Sequence, residues 1–183
     1  LAFLAGSLEA AGTLVQRQTN IVRKLRLASR LGGATVQETL EECAVRGEQG
    51  VALANELLKD RELRIPAERW WYARVHAWAK AARFAELEAL AASVRSSPIG
   101  WRPFVDACLD RDPPNPKAAA KFIQRLQDPA EKVSCFLRAG LFEDAANIAA
   151  AARDEALLHD VLLAVRKSGL RTPDATAARD IAK

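Results

Sequence analysis

The sequence predicts an all-α protein: an α-solenoid of stacked helix-turn-helix pairs, preceded by one long helix. Three observations carry this expectation. Alanine, leucine, arginine and glutamate, which favour helices most strongly, fill the chain. Its β-branched residues never form the alternating runs that a half-buried strand requires. Helix-opening signals recur at Thr35, Pro66, Pro98 and Pro129, an interval of 31 or 32 residues.

Each signal has a physical reason. Thr35-Val36-Gln37-Glu38 is a capping-box pattern, in which the hydroxyl and the carboxylate satisfy N–H groups that the first turn leaves free. Pro66 opens the next stretch. Ser97-Pro98 and Asp128-Pro129 read as an N-cap followed by the first helical residue, where proline's missing N–H costs nothing. Glu131 follows Asp128 by three residues. A break lies between successive openers, at Arg46-Gly47, Ala82-Arg83, Asp112-Pro113-Pro114-Asn115-Pro116 and Ala139-Gly140. Each unit therefore reads as helix, turn, helix. Residues 81–87 also resemble residues 139–145. Both place small residues at the turn, an aromatic just after it and an acid in the next first turn, where the helix dipole favours negative charge. One such hairpin cannot bury its apolar face alone, so the units must stack. A compact, irregular helical domain is the alternative.

The ends differ from the middle. Ser7 to Leu31 reads as one helix, with Leu8, Val15 and Val22 seven residues apart and Ala11 and Leu25 joining them in a short heptad-like seam. Gly32-Gly33 reads as its C-terminal stop. The expected organisation is residues 1–34 as this helix, packed on a solenoid of about four helix pairs over residues 35–183. Thr172-Pro173-Asp174 opens a short polar helix that caps the end.

Composition narrows the function classes. With 183 residues, half of them hydrophobic and 27% charged, the chain suits one or slightly more than one globular domain. Its net charge of +4 is a mild excess, so the distribution of charge matters more than its sum. Cys43, Cys108 and Cys135 are an odd, scattered set, which fits a reducing compartment and no disulfide framework. No run approaches the roughly 18 apolar residues of a membrane span. The apolar start Leu1-Ala2-Phe3-Leu4-Ala5 is too short for a signal peptide and lacks a charged leader. The chain contains no methionine, and the expectation is an internal piece of a longer protein.

Catalytic and metal signatures are missing. His76 and His159 have no second histidine or cysteine at ligand spacing, and the cysteines form no paired motif. There is no Gly-x-Ser-x-Gly elbow and no glycine-rich phosphate loop. Glu41 and Glu42 are adjacent, so on a helix they diverge into solvent. The expectation is no enzyme, no cofactor and no metal.

Two features could serve a partner. In the cluster Trp70-Trp71-Tyr72 with Trp78, the residues Trp71, Val75 and Trp78 share one helical face, which reads as core. Trp70 is either on a second buried flank or exposed, beside Arg69 and Arg74, where it would suit a protein interface. The basic residues Arg17, Arg23, Lys24, Arg26 and Arg30 lie on the long first helix, but they spread around it and form no single phosphate-binding stripe.

Arg64-Ile65-Pro66-Ala67-Glu68-Arg69-Trp70-Trp71 resembles the Arg-Ile-Pro, Arg and Trp-Trp element of the vacuolar protein sorting-associated protein 16 family. Phe84-Ala85-Glu86-Leu87-Glu88 resembles its aromatic-x-Glu-Leu-Glu turn, and Ser97-Pro98-Ile99-Gly100-Trp101-Arg102-Pro103-Phe104-Val105 its Ser-Pro-Ile-Gly segment. Glu131-Lys132-Val133 and Asp144-Ala145-Ala146 resemble the following helix pair, whereas the Arg111–Pro116 loop departs from the pattern with extra prolines. This resemblance implies a subunit of the HOPS and CORVET tethering complexes, cytoplasmic and peripheral on endosome and vacuole or lysosome membranes. It also implies that the solenoid holds a Sec1/Munc18-type partner, vacuolar protein sorting-associated protein 33, which promotes SNARE-mediated fusion. Arg69 occupies the position of a partner-contacting arginine in that family. Glu68, Trp70 and Tyr72 around it, with Arg26 and Arg23 on the first helix, complete the expected surface. Other subunits of the same complexes are expected partners, with no nucleic acid and no direct membrane insertion. The rival expectation is a helical-repeat RNA-binding module, motivated by the basic first helix.

Overall fold

The computed structural model describes residues 12–13, 15–16, 19–20, 35–59, 64–169 and 172–182. Among the described residues all regular structure is helical, with ten helices between Val36 and Ile181. The all-α expectation holds. The long first helix, its heptad-like seam and its glycine stop fall outside the described residues, apart from six helical residues between 12 and 20.

The chain divides into two compact units, residues 1–99 and 100–183. The first holds α1 (Val36–Val45), α2 (Glu48–Lys59), α3 (Ala67–Lys80) and α4 (Phe84–Ala92). Helix α1 starts on the expected capping box: Glu38 N donates to Thr35 Oγ1 at 3.1 Å, and Thr35 N donates to Glu38 Oε2 at 3.1 Å. It ends at Arg46, and Gly47 at φ +69° turns the chain into α2. There the two helices touch backbone to backbone. A Cβ on Gly50 would lie 1.9 Å from the Cys43 carbonyl oxygen. Helix α3 packs on α1, the helix two before it, as well as on its sequence neighbour α4. One cluster fills the space between α1, α2 and α3. It contains Val36, Leu40, Cys43, Ala44, Ala54, Leu57, Ile65, Trp70, Ala73 and Ala77.

The second unit holds α5 (Arg102–Leu109), α6 (Pro116–Ile123), α7 (Pro129–Ala139), α8 (Phe142–Ala152), α9 (Glu155–Ser168) and α10 (Pro173–Ile181). Each helix packs on the next, and the next-but-one pairs α5–α7, α7–α9 and α8–α10 are also in contact. That pattern is the stacking of equivalent helices in successive pairs, the solenoid arrangement. Phe104 and Phe122 join α5 to α6 with ring centroids 5.2 Å apart. Arg102 pairs with Asp106 and Glu131, and Arg138 with Asp106 and Asp110, which links the outer faces of α5 and α7. These side chains are partly exposed, so the network adds little beyond register.

Most opening signals act as the sequence implies. Asp128 accepts from Ala130 N and Glu131 N at 3.3 Å, with Pro129 as the first residue of α7. Thr172 caps α10 with Pro173 behind it. Gly140 ends α7 at φ +74°. The Pro-rich break at 112–116 also contains an opener, because Asn115 Oδ1 accepts from Ala118 N at 3.0 Å ahead of α6.

Ser97-Pro98 is a correction. Ser97 is buried and its Oγ accepts from Ile99 N at 3.3 Å, which makes a local turn. Gly100 at φ +71° then interrupts the path, and α5 starts four residues after Pro98, at Arg102. The proline in its first turn is Pro103, and Pro98 takes no part in it. A second opener went unread: Asp154 accepts from Ala156 N at 2.9 Å and from Leu157 N at 3.2 Å, and so starts α9.

Candidate partner-binding site on the third helix

Helix α3 follows Arg64-Ile65-Pro66. Pro66 occupies the N-cap position with extended backbone, φ −64° and ψ 144°, so the helix begins with no side-chain cap. Its 14 residues divide into faces. Trp70, Ala73 and Ala77 enter the cluster shared with α1 and α2. Val75 and Ala79 are buried on a second flank, as a helix stacked between neighbours requires. Glu68, Arg69, Tyr72, His76 and Lys80, spaced three and four residues apart, form the exposed stripe. Trp71, Arg74 and Trp78 make a half-buried stripe on the other side.

The tryptophans therefore differ from the sequence reading. Trp71, Val75 and Trp78 were expected together in the core, yet only Val75 is fully buried. The deeply buried indole is Trp70, 6% exposed, because positions 70, 73 and 77 are the ones α3 turns toward α1. Trp78 closes the rim: its Nε1 donates to the carbonyl of Ala44, near the end of α1, at 2.9 Å. Trp70 thus stands behind the surface it was expected to occupy, as support for its neighbours.

Of the remaining expected contacts, Glu68, Arg69 and Tyr72 are exposed on one face. Tyr72 is 40% exposed and stacks on His76, with centroids 6.5 Å apart and planes at 19°. The Arg69 guanidinium makes no hydrogen bond or ion pair among the described residues. Arg23 and Arg26 fall outside the described residues.

Arg74, which the sequence marked only as a neighbour of Trp70, has a more specific setting. Its guanidinium lies 4.7 Å from the Trp71 ring centroid and 5.2 Å from that of Trp70. The signal was present, since an arginine three and four residues after two tryptophans can stack back on both. Burial pushes the Arg74 guanidinium below its ordinary range.

Other chemistry has little to stand on. Among the described residues no three histidine, cysteine or acidic side chains come together to hold a metal. The three cysteines are buried free thiols. An open groove of about 310 Å³ is lined by Arg46, Gln49, Gly50, Ala52, Leu53 and Glu56. Its Arg46 is already engaged by Glu42, and it contains no nucleophile. Among the described residues no helix is long and apolar enough to cross a membrane.

The fold and this surface define a helical-repeat protein whose accessible chemistry lies on a helix face. Residues 3–178 match the family described as "Vps16, C-terminal region", and the chain belongs to that family. It is 34% identical over 141 residues to the vacuolar protein sorting-associated protein 16 homolog of Drosophila melanogaster, covering 77% of this chain and 16% of the relative. It is 31% identical over 121 residues to Protein VACUOLELESS1 of Arabidopsis thaliana, covering 66% of this chain and 13% of the relative. A probable homolog in Schizosaccharomyces pombe is 33% identical over 111 residues, 60% of this chain and 13% of that protein. The chain thus spans about one sixth or less of the length of these relatives.

Proposed function

We propose that this chain is a protein-binding arm of a vacuolar-sorting, membrane-tethering subunit, and that it holds a Sec1/Munc18-type protein that promotes SNARE-mediated fusion. In this reading residues 1–34 form a leading helix and residues 35–183 the solenoid. The subunit acts as a scaffold within the HOPS and CORVET complexes and performs no catalysis. It works in the cytoplasm, peripherally on endosomal and vacuolar or lysosomal membranes.

The observation that carries the proposal is the exposed stripe of α3. Arg69, whose guanidinium has no partner among the described residues, is flanked by Glu68 and the half-exposed ring of Tyr72, a mixture of charge and aromatic surface that suits protein interfaces. Trp70 fixes that stripe from behind by anchoring α3 in the core. Arg23 and Arg26 extend the surface on the sequence reading. The stripe mixes Glu68 with Arg69 and Lys80, so it lacks the single-sign track that phosphate binding requires.

The test is co-purification of the full-length subunit with its Sec1/Munc18-type partner. Arg69→Glu reverses the charge at an exposed position, so it should abolish co-purification while the helical circular dichroism stays as in wild type. Undiminished binding by the correctly folded variant would show that the interface lies elsewhere.

A further inference from the structure

The half-buried side of α3 carries a second, chemically different feature. Arg74 is held against two indole rings, at 4.7 Å from Trp71 and 5.2 Å from Trp70. Its Nε is buried and has no acceptor, and no carboxylate or carbonyl of the described residues takes a hydrogen bond from the guanidinium. A cation lifted out of water is normally paired, because the lost hydration is otherwise uncompensated. Arg46, Arg102 and Arg138 each pair with a carboxylate. Arg74 has aromatic faces instead. Stacking satisfies the flat sides of the guanidinium and leaves its edge, which carries the N–H donors, without an acceptor among the described residues.

We propose that Arg74, oriented by Trp71 and Trp70, is a receptor for a carboxylate, and that the occupant is an aspartate or glutamate side chain of a partner protein. With Nε buried, the two terminal nitrogens of the half-buried guanidinium are the donors that match a carboxylate's two oxygens. Stacking has already restricted the side chain, so little further rotamer freedom is lost on binding. Charge complementarity selects the occupant: the site is a partly desolvated cation with apolar flanks, which rejects cations and gains little from neutral amides. This inference stands apart from Arg69, which lies on the exposed stripe, and does not depend on which protein docks there.

The experiment titrates the 183-residue chain, labelled with nitrogen-15, with a capped diglutamate peptide and, separately, a capped diglutamine peptide at matched ionic strength. The signals followed are the Arg74 Nε–H and the indole N–H of each tryptophan. The expected result is a saturable shift at Arg74, Trp70 and Trp71 with diglutamate, in the millimolar range, and at least about tenfold weaker with diglutamine. Arg74→Gln should remove the response, and Arg74→Lys should weaken it while keeping the charge. The Trp78 indole signal, which reports the bond to Ala44, should be unchanged in either variant that folds. The wild-type titration decides the matter even if a variant fails to fold. No saturable shift, an equal response to both peptides, or equal shifts at Arg69 and the other surface arginines would overturn the proposal.

Discussion

Gly50→Ala is the sharpest test of how the first unit is built. The added methyl would sit 1.9 Å from the Cys43 carbonyl oxygen and 2.8 Å from its carbon, where ordinary contacts start at 3.4 Å. Both offending atoms are backbone, so no side-chain rotation relieves the clash. Helices α1 and α2 must separate by roughly 1.5 Å at this point. Overpacking of this kind costs typically about 1–3 kcal/mol, and a backbone obstacle puts it at the upper end. Alanine's better helix propensity returns about 1 kcal/mol. The net loss is about 2 kcal/mol, which corresponds to a fall of roughly 4–8 °C in melting temperature for a chain of this size. Urea denaturation followed by tryptophan fluorescence reads it, since Trp70, Trp71 and Trp78 lie in the affected unit. Gly47→Ala is the contrast: at φ +69° nothing lies within 4 Å of a Cβ, so only backbone strain of about 1 kcal/mol is expected. If Gly50→Ala unfolds at the same urea concentration as wild type, or a higher one, the close approach of α1 and α2 is not a determinant of the fold.

Three further outcomes concern one helix cap and the buried thiols. Helix α8 has no cap of its own at Leu141, and Asp174, from α10, accepts from Phe142 N at 2.8 Å and Glu143 N at 3.2 Å. Asp174→Ala should cost about 1 kcal/mol and lower the melting temperature, whereas Asp174→Asn, which keeps one acceptor oxygen, should lose less; equal melting of all three would refute the cap. Burial pushes the Cys43 thiol from its ordinary 9.0 up to about 11. The fold therefore excludes the thiolate. The resulting stability is fully present below pH 9.0 and is lost as pH rises toward 11, because the unfolded chain ionises first. Cys43→Ser should flatten this alkaline loss in a urea-midpoint series across that range. In wild type at pH 8, all three thiols should resist a maleimide until the chain is unfolded.

Much of the fold was legible because helix ends are local chemistry. Thr35 with Glu38, Asp128 and Thr172 each satisfy first-turn N–H groups within three positions, and Pro129 and Pro173 add a first helical residue with no N–H to satisfy, so their order alone reveals them. Ser97-Pro98 shows the limit. The same letters can close a local turn when a glycine at positive φ follows, and the choice depends on Ser97 being buried. Of the candidate surface, the exposure of Glu68, Arg69 and Tyr72 agrees with their three-and-four spacing along α3.

By itself the sequence determined the helical class and most of the places where helices start and stop, because these depend on neighbours a few residues away. Tertiary packing decided the rest. It chose Trp70 over Trp71 for the core, set Gly50 against Cys43, brought Asp174 to the start of α8, and stacked Arg74 on two indoles. A helix with two buried flanks offers an adjacent pair of tryptophans equally good positions by periodicity. Only the direction from which α1 approaches α3 separates them, and that direction is a property of the packed chain.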